Sequence, residues 1–163
     1  MDKIVSNTGP LLHLSEINLT TIFRLFKHAF IPSVVAEELR KYNVHVPSSV
    51  NVLPLSAEGK DHVKVLANQY DLDEGEAAAI ALALQEKAQV FLTDDLAARA
   101  VAKAYFLEVH GTVGVVLRAF REKIIDKKLA LEKIDELYKN SSLFITLDLV
   151  NEVKDAIKKF QEE

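Results

Sequence analysis

The chain has 163 residues, of which 49% are hydrophobic, and its formal net charge at pH 7 is −4. This length and hydrophobic content suffice for one well-packed core, so we expect a single domain. The absence of cysteine excludes disulfides and cysteine-ligated zinc or iron sites, and the negative charge argues against a protein whose whole surface attracts nucleic acid.

Short strand patterns alternate with helical patterns along the first 110 residues. The strand patterns are short apolar runs that end at turn residues, whereas the helical patterns repeat apolar residues at spacings of three and four. The predicted strands cover residues 3–6, 29–31, 50–55, 89–93 and 106–109, of which 50–55 is either an edge strand or an extended linker. The first predicted helix begins at Pro10, and a second helical stretch covers about 19–26. A third helix is capped by Ser33 and ends at Tyr42. Further helices are predicted at residues 57–70 and 74–86 and after Asp95.

The helix predicted over residues 74–86 is rich in alanine and apolar nearly all round, which is typical of a helix buried between two layers. Short strands that are separated by helices require parallel pairing with right-handed crossovers. We therefore predict an α/β fold, a three-layer α/β/α sandwich with a mostly parallel central sheet.

Beyond Gly111 the pattern is helical to the end of the chain, with one break at turn residues. We expect one domain over residues 1–163, with a core of about 1–120 and a helical extension of about 121–163. The helical segments of this last part are predicted at residues 113–122, 129–138 and 147–160.

The N-terminus lacks the charged region and the following apolar stretch that mark a signal peptide. No apolar run reaches the length of a transmembrane helix. We therefore expect a cytoplasmic protein that does not enter a membrane.

Polar side chains stand where predicted strands give way to helices. Asn7 follows the first strand, and Asp94 and Asp95 follow the strand over residues 89–93. In parallel sheets the ligand site lies at the carboxyl ends of the strands, near the point where the strand order reverses. A single Asp there caps the next helix, but only one of two adjacent carboxylates can cap, and a bound cation relieves the repulsion between them. The pair therefore marks an acidic site.

Two further acids lie on predicted helices, and each has two interpretations. Glu38 falls within the apolar stripe of its helix, so its carboxylate needs a partner, which is either a salt bridge or a ligand in a cleft. Glu76 completes the spacing Asp73-x-x-Glu76, which is close to a helix capping box. Its alternative role is to project into the same cleft as the acids at the strand ends.

Other common catalytic and binding motifs are missing from the sequence. There is no glycine-rich phosphate loop and no credible Ser/His/Asp arrangement. The histidines show no metal-ligand spacing, so we do not expect a zinc site. These histidines are His13, His28, His45, His62 and His110.

Several segments are informative through their order and spacing more than through any one of them. They are VSNTGPL at residues 5–11, IPSVVAEEL at 31–39, GEAAAIALA at 75–83, LTDDLAAR at 92–99 and VHGTVG at 109–114. Together these segments resemble the PIN-domain proteins, particularly the small prokaryotic ones related to toxin-antitoxin nucleases. The resemblance covers about the first 120 residues.

The resemblance implies a parallel sheet between helices and a nuclease that uses Mg²⁺ or Mn²⁺ to hydrolyse RNA phosphodiester bonds. By position, it places Asn7, Glu38 and Glu76 at three of the family's metal-ligand positions and Asp94 or Asp95 at the fourth. The carboxylates then act as both metal ligands and catalytic groups. The resemblance also implies that the protein is a toxin with an antitoxin partner. The apolar faces of the C-terminal helices have two interpretations, because they either pack a homodimer or cover their own core.

This chain departs from the family pattern at the first acid, because Asn7 stands where active members usually have Asp. An amide offers a carbonyl oxygen to a metal but no negative charge, so we expect weaker metal binding. The alternative function is therefore a catalytically weak or inactive module that binds nucleic acid or protein. Arg99 is expected to pair with an acid or to contact a phosphate, and Thr112 to contact substrate.

Two other interpretations remain open at this stage. A receiver-like phosphoryl-transfer domain also holds Mg²⁺ with an acidic pair, although there the pair follows the first strand. A chain of net negative charge must also gather its contacts to RNA locally or across a dimer. The basic residues that form either such a patch or a solvated helix face are Arg118, Arg121, Lys123, Lys127 and Lys128.

Overall fold

A computed structural model describes residues 3–161 of the chain. The strands are β1 (Lys3–Ser6), β2 (His28–Pro32), β3 (Val50–Leu53), β4 (Val90–Leu92) and β5 (Glu108–His110). The α-helices are α1 (Thr8–Glu16), α2 (Ser33–Lys41), α3 (Ala57–Gln69), α4 (Glu74–Gln85), α5 (Leu96–Ala104), α6 (Thr112–Arg121), α7 (Lys127–Asn140) and α8 (Leu147–Lys159). A 3₁₀ helix covers Thr20–Leu25.

The strands in this part of the chain form one parallel sheet in the order β3-β2-β1-β4-β5. The predicted α/β fold with a parallel central sheet is confirmed. The order reverses at β1, because the chain builds β2 and β3 on one side of it and later adds β4 and β5 on the other. The Asn7 N–H donates to the Leu92 carbonyl oxygen at 2.8 Å, so the carboxyl ends of β1 and β4 lie side by side.

The predicted strands and helices differ from the observed ones mainly at their ends. Helix α1 begins at Thr8, before Pro10, because a proline is tolerated in the first turn, where the backbone N–H groups have no partner within the helix. Ser33 is the first residue of α2, and Pro32 takes the capping position. Strand β5 begins only at Glu108, because Phe106 has a φ of 65° where the chain leaves α5.

Helix α4 is buried along its length, as its composition predicts. Its residues from Ala77 to Ala83 are all buried. It packs on α3 and on strands β1 and β2, which accounts for the lack of a polar face. The first turn of α4 therefore lies at the edge of the sheet where β1 and β2 end.

The C-terminal helices belong to the same apolar cluster as the sheet. Helix α7 packs on α6 and α1, and α8 packs on α7. Residues such as Ile134 and Val153 are buried in one cluster with Ile4 of β1. The segment between α7 and α8 is anchored to α1, because the N–H and hydroxyl of Ser142 donate to the Glu16 carboxylate at 3.1 and 2.7 Å.

No helix within residues 3–161 combines the length and the apolar character needed to cross a lipid bilayer.

Candidate metal centre

A cavity of about 640 Å³ opens at the carboxyl ends of β1 and β4, where the strand order reverses. This is where ligand sites form in parallel α/β sheets. The fold thus brings into one cavity acids and an amide from four separate segments of the chain. The predicted metal ligands that line the cavity are Asn7, Glu38, Glu76, Asp94 and Asp95.

Asp94 is a largely buried carboxylate, with 12% of its side chain exposed, that is held by His13 and Thr112. Its Oδ1 accepts a hydrogen bond from the Thr112 N–H at 2.7 Å, and its Oδ2 accepts from the Thr112 hydroxyl at 2.5 Å and from His13 Nδ1 at 2.7 Å. Burial alone would raise the pKa of Asp94, but the hydrogen bonds from His13 and Thr112 outweigh burial and hold this pKa below its ordinary value. Asp94 is therefore a fixed negative charge at neutral pH.

Asp95 is the member of the acidic pair that caps a helix. Its Oδ1 accepts a hydrogen bond from the Ala98 N–H at 2.8 Å, which satisfies one free donor in the first turn of α5. Its own N–H donates to Thr93 Oγ1 at 3.2 Å. The capping role does not remove Asp95 from the cavity, because its side chain also lines that space.

Glu76 forms the predicted capping box with Asp73. The Glu76 N–H donates to Asp73 Oδ1 at 2.8 Å, and Glu76 Oε2 accepts from the Asp73 N–H at 2.9 Å. Burial, and then the negative charges of Asp73, Asp95 and Glu38, raise the pKa of Glu76 above its ordinary value. Negative charge is therefore crowded in the cavity, and a positive charge bound there would stabilise the ionised carboxylates.

Glu38 projects from α2 towards the first turn of α4. It is half-buried, and its Oε2 accepts a short hydrogen bond from the Thr8 hydroxyl. A Cβ atom on Gly75 would lie 2.3 Å from Glu38 Oε1, so a side chain at residue 75 would push this carboxylate out of its present position. The sequence suggested either a salt bridge or a ligand as the partner of Glu38. In the structure its carboxylate is hydrogen-bonded to the Thr8 hydroxyl instead of to a basic side chain.

Asn7 lies in the floor of the cavity with 7% of its surface exposed. Its Nδ2 donates to Thr93 Oγ1 at 3.3 Å. The orientation of the amide leaves its carbonyl oxygen as the group that can serve as a metal ligand, without adding charge.

Arg99 and Thr112 hold the acidic site together from its β5 side. Arg99 Nε donates to the Thr93 carbonyl oxygen at 3.1 Å. Its guanidinium and the Asp94 carboxylate both pack against Gly111, where a Cβ atom would lie 1.9 Å from Arg99 Nη2 and 2.7 Å from Asp94 Oδ1. Thr112 is fully buried, and both of its donors point at Asp94. Its observed contacts are those of a positioning residue.

Three residues of the site were not predicted, namely His13, Thr8 and Thr93. His13 lies on the buried side of α1 with Leu11 and Leu14, and a histidine on an apolar stripe is the signal that identifies it. The two threonines adjoin predicted ligands in the sequence. Their hydrogen bonds, however, join side chains that are distant in the sequence, since Thr8 donates to Glu38 and Thr93 accepts from Asn7, and no spacing encodes these contacts.

The donor set suits a hard divalent cation, because it consists of carboxylate and amide oxygens. Gly75 and Gly111 also provide the space in which two of the carboxylates sit. Within residues 3–161, however, no three Asp, Glu, His or Cys side chains stand close enough to hold a metal ion between them. Binding a cation between three of these carboxylates would therefore require their side chains to move closer together.

A family model described as DUF3368, a PIN domain, matches residues 3–159. No curated protein matches the chain. The match extends through α7 and α8, beyond the first 120 residues on which the resemblance was recognised. It removes the receiver-like alternative.

Solved structures that resemble the chain include a PilT N-terminus domain protein from the hyperthermophilic archaeon Sulfolobus solfataricus. That protein is 15% identical, with a TM-score of 0.50, and the match covers 74% of this chain and 94% of the other. VapBC2 from Rickettsia felis, bound to a DNA fragment from its promoter, matches with 13% identity, a TM-score of 0.47 and coverage of 68% and 98%. A toxin-antitoxin complex from Klebsiella pneumoniae matches with 16% identity, a TM-score of 0.46 and coverage of 56% and 86%. At 15% identity and a TM-score of 0.50, the likeness to the PilT N-terminus domain protein shows a shared fold.

Proposed function

This chain belongs to the PIN-domain family, and we propose that it is a divalent-metal-dependent ribonuclease that hydrolyses RNA phosphodiester bonds. Membership of the family supports a nuclease-type role. We propose in addition that the substrate is RNA and that the cation is Mg²⁺ or Mn²⁺. The observation that carries the proposal is the convergence of Glu38, Glu76, Asp94 and Asp95 in one cavity at the reversal of strand order.

A divalent cation supplies Lewis-acid chemistry for phosphodiester hydrolysis. The residues that would hold it are Asp94 and Glu38, with Asn7 contributing an amide oxygen. Asp94 is the fixed charge among them, because His13 and Thr112 keep it ionised and oriented. Asp95 and Glu76 add negative charge at the ends of α5 and α4.

The first test is RNA cleavage by wild type and by Glu38→Gln in Mg²⁺, in Mn²⁺ and in EDTA. We expect cleavage with either cation and none in EDTA. Glutamine retains an acceptor for the Thr8 hydroxyl but removes the charge, so the rate should fall by about 10- to 100-fold or more. Glu37→Gln is the matched control, because Glu37 is the exposed neighbour on the same helix. Cleavage in EDTA, or equal rates for the two variants, would contradict the proposal.

Restoring the missing acid should strengthen the metal site. Asn7→Asp adds a carboxylate to a cavity already crowded with negative charge, so we expect about tenfold tighter Mg²⁺ binding and faster cleavage. Without metal, the same repulsion should lower the melting temperature. Calorimetry of Mg²⁺ binding and thermal unfolding with and without Mg²⁺ measure both effects. Asn151→Asp, on the exposed side of α8, adds the same charge elsewhere and should change neither.

Substitutions that retain the helix caps separate a capping role from a functional one. Asp95→Asn keeps a good N-cap, and Glu76→Gln keeps the capping box, so neither should unfold the protein. Because its raised pKa means that ionised Glu76 destabilises the folded state, Glu76→Gln should raise the melting temperature without metal at neutral pH.

The cleavage rate should fall in both of these variants. Asp126→Asn is the control, since Asp126 caps α7 with the same 2.8 Å bond but stands at a different helix. If all three variants cleave RNA as wild type does, Asp95 and Glu76 are caps and nothing more.

The alternative function, a non-catalytic module, is favoured by Asn7 and by the protein donors that hold the carboxylates. It predicts RNA binding without cleavage, and no metal binding by wild type or by Asn7→Asp. The antitoxin, the homodimer and the cytoplasmic location stay predictions from the resemblance and the sequence. Light scattering of the purified protein tests the homodimer directly.

A further inference from the structure

Phe144 is an aromatic side chain exposed at the rim of the acidic cavity. It is 90% exposed, although Leu143 and Ile145 on either side of it pack against the core. It lines both the acidic cavity and an adjoining cavity of about 400 Å³. Leu96, which is also largely exposed, lines the same two cavities, so the two side chains form an exposed apolar patch where the cavities meet, and such a patch indicates a binding surface.

The segment that carries Phe144 is held in place at its base. Ser141 Oγ donates to the Leu137 carbonyl oxygen at 2.5 Å and accepts from the Leu143 N–H at 3.2 Å. Ser142 is bonded to the Glu16 carboxylate of α1. Because both neighbours are fixed, the backbone that carries the ring is preorganised, and a ligand that contacts the ring has to order only the Phe144 side chain.

The cavity beyond Phe144 shares Asp94 with the acidic cavity but also holds basic side chains. Arg99 and His110 line it, together with Leu96, which is 80% exposed. A further cavity shares His110 and is lined by Arg118 and Arg121 together with Glu108 and Glu122, which pair with His110 and Arg118 at 2.9 and 3.3 Å. A path therefore leads from the carboxylates, past an apolar platform, to Arg99 and then to Arg121, the arginine of the further cavity that stands beside the two ion pairs.

This sequence of groups matches a nucleic-acid strand, in which bases and phosphates alternate. Phosphates suit the basic residues, whereas the flat apolar face of a base suits the aromatic ring. Stacking also gives affinity that does not depend on charge. A chain of net charge −4 needs such affinity, because its own carboxylates repel the phosphates of a strand that lies near them. The base must be unpaired to present its face to a side chain.

We propose that Phe144 stacks on an unpaired base of the RNA substrate and positions the strand between the carboxylates and Arg99. This inference rests on the proposed ribonuclease function and adds to it a positioning residue and the direction in which the strand leaves the site. Phe144 touches no reacting group in this arrangement, so it should act on substrate binding and leave the chemical step nearly unchanged.

The test is the affinity of wild type, Phe144→Ala and Phe144→Trp for a fluorescein-labelled 12-nucleotide oligoadenylate, measured by fluorescence anisotropy in EDTA. A second probe is the same ribose-phosphate chain without bases. We expect Phe144→Ala to weaken oligoadenylate binding about tenfold and to leave the abasic probe unchanged, while Phe144→Trp restores binding. Phe106→Ala is the matched control, because Phe106 is 97% exposed at the opposite end of β5 and should have no effect.

Equal affinity of Phe144→Ala and Phe106→Ala for oligoadenylate would overturn the inference, and so would an equal loss on the abasic probe or a failure of Trp to restore binding. A change in oligomeric state on Phe144→Ala with unchanged RNA affinity would mean that the ring contacts another protein chain, which also overturns it. In the cleavage assay, KM should rise about tenfold with kcat within about twofold of wild type.

These outcomes are distinguishable from failure of the proposed function itself. If wild type binds oligoadenylate through Phe144 but cleaves no RNA with Mg²⁺ or Mn²⁺, the ribonuclease function is wrong and the stacking role stands. If wild type cleaves RNA and Phe144→Ala matches it in KM and affinity, the stacking role is wrong and the ribonuclease function stands.

Discussion

Asp94→Asn should abolish RNA cleavage while the protein stays folded. Asparagine can keep a carbonyl oxygen for the Thr112 N–H, and its amide can donate to the Thr112 hydroxyl and to the neutral form of His13. The hydrogen bonds therefore survive with some donors and acceptors exchanged, and we expect a stability loss of about 1 kcal/mol. The fixed negative charge is lost, so cleavage should fall by at least about 100-fold.

Asp94→Ala provides the comparison for stability. Alanine leaves the donors of Thr112 and His13 buried without an acceptor, at a cost of about 1–3 kcal/mol for each group that stays unsatisfied. Urea unfolding should therefore rank wild type, Asp94→Asn and Asp94→Ala in order of falling stability. Residual cleavage near the wild-type rate in Asp94→Asn would show that this charge has no part in the reaction.

Gly111→Ala should damage the site although it replaces no polar side chain, because the added methyl group displaces polar side chains that are already there. The added Cβ atom would lie 1.9 Å from Arg99 Nη2 and 2.7 Å from Asp94 Oδ1. The guanidinium can swing away because it ends a flexible side chain, but Asp94 is short and held by three hydrogen bonds. We expect a stability loss of about 1–3 kcal/mol and a large fall in cleavage.

Gly114→Ala is the matched control for Gly111→Ala. It lies three residues further on, within α6, and the nearest atom to its added Cβ would be His110 Nδ1 at 3.5 Å, an ordinary contact. Replacing a glycine inside a helix with alanine should stabilise the protein by up to about 1 kcal/mol. In urea unfolding, Gly111→Ala should thus be less stable than wild type and Gly114→Ala more stable. In the cleavage assay, only Gly111→Ala should show a large fall in rate. Similar behaviour of the two variants would remove the argument that Gly111 makes room for Asp94.

The local features of this protein follow from its sequence. Apolar periodicity identifies the buried helix α4, and the spacing of Asp73 and Glu76 identifies the capping box that begins it. Alternation of short strands with helices leads to a parallel sheet, because such connections allow no other simple pairing. The exact ends of β5 and α1 were not predictable, since they depend on single backbone angles at Phe106 and on the tolerance of Pro10 in a first turn.

The sequence alone also identifies the acids, because an adjacent Asp pair after a strand and a Glu within an apolar stripe each need a partner. It does not reveal what that partner is. Thr8 and His13 lie on α1 and Thr112 begins α6, and only the packing of these two helices and α2 around the ends of β1 and β4 brings the three side chains to the carboxylates.

Sequence by itself thus determined the fold class, because this depends on short-range patterns of apolar and charged side chains. Such patterns also singled out Asp94, Asp95 and Glu38, whereas Glu76 joined these acids only through the resemblance. The tertiary structure decided which strands are neighbours, which of Asp94 and Asp95 caps a helix and which is held by His13, and where Phe144 points. These features arise from contacts between residues far apart in the chain, whose distances no local spacing contains.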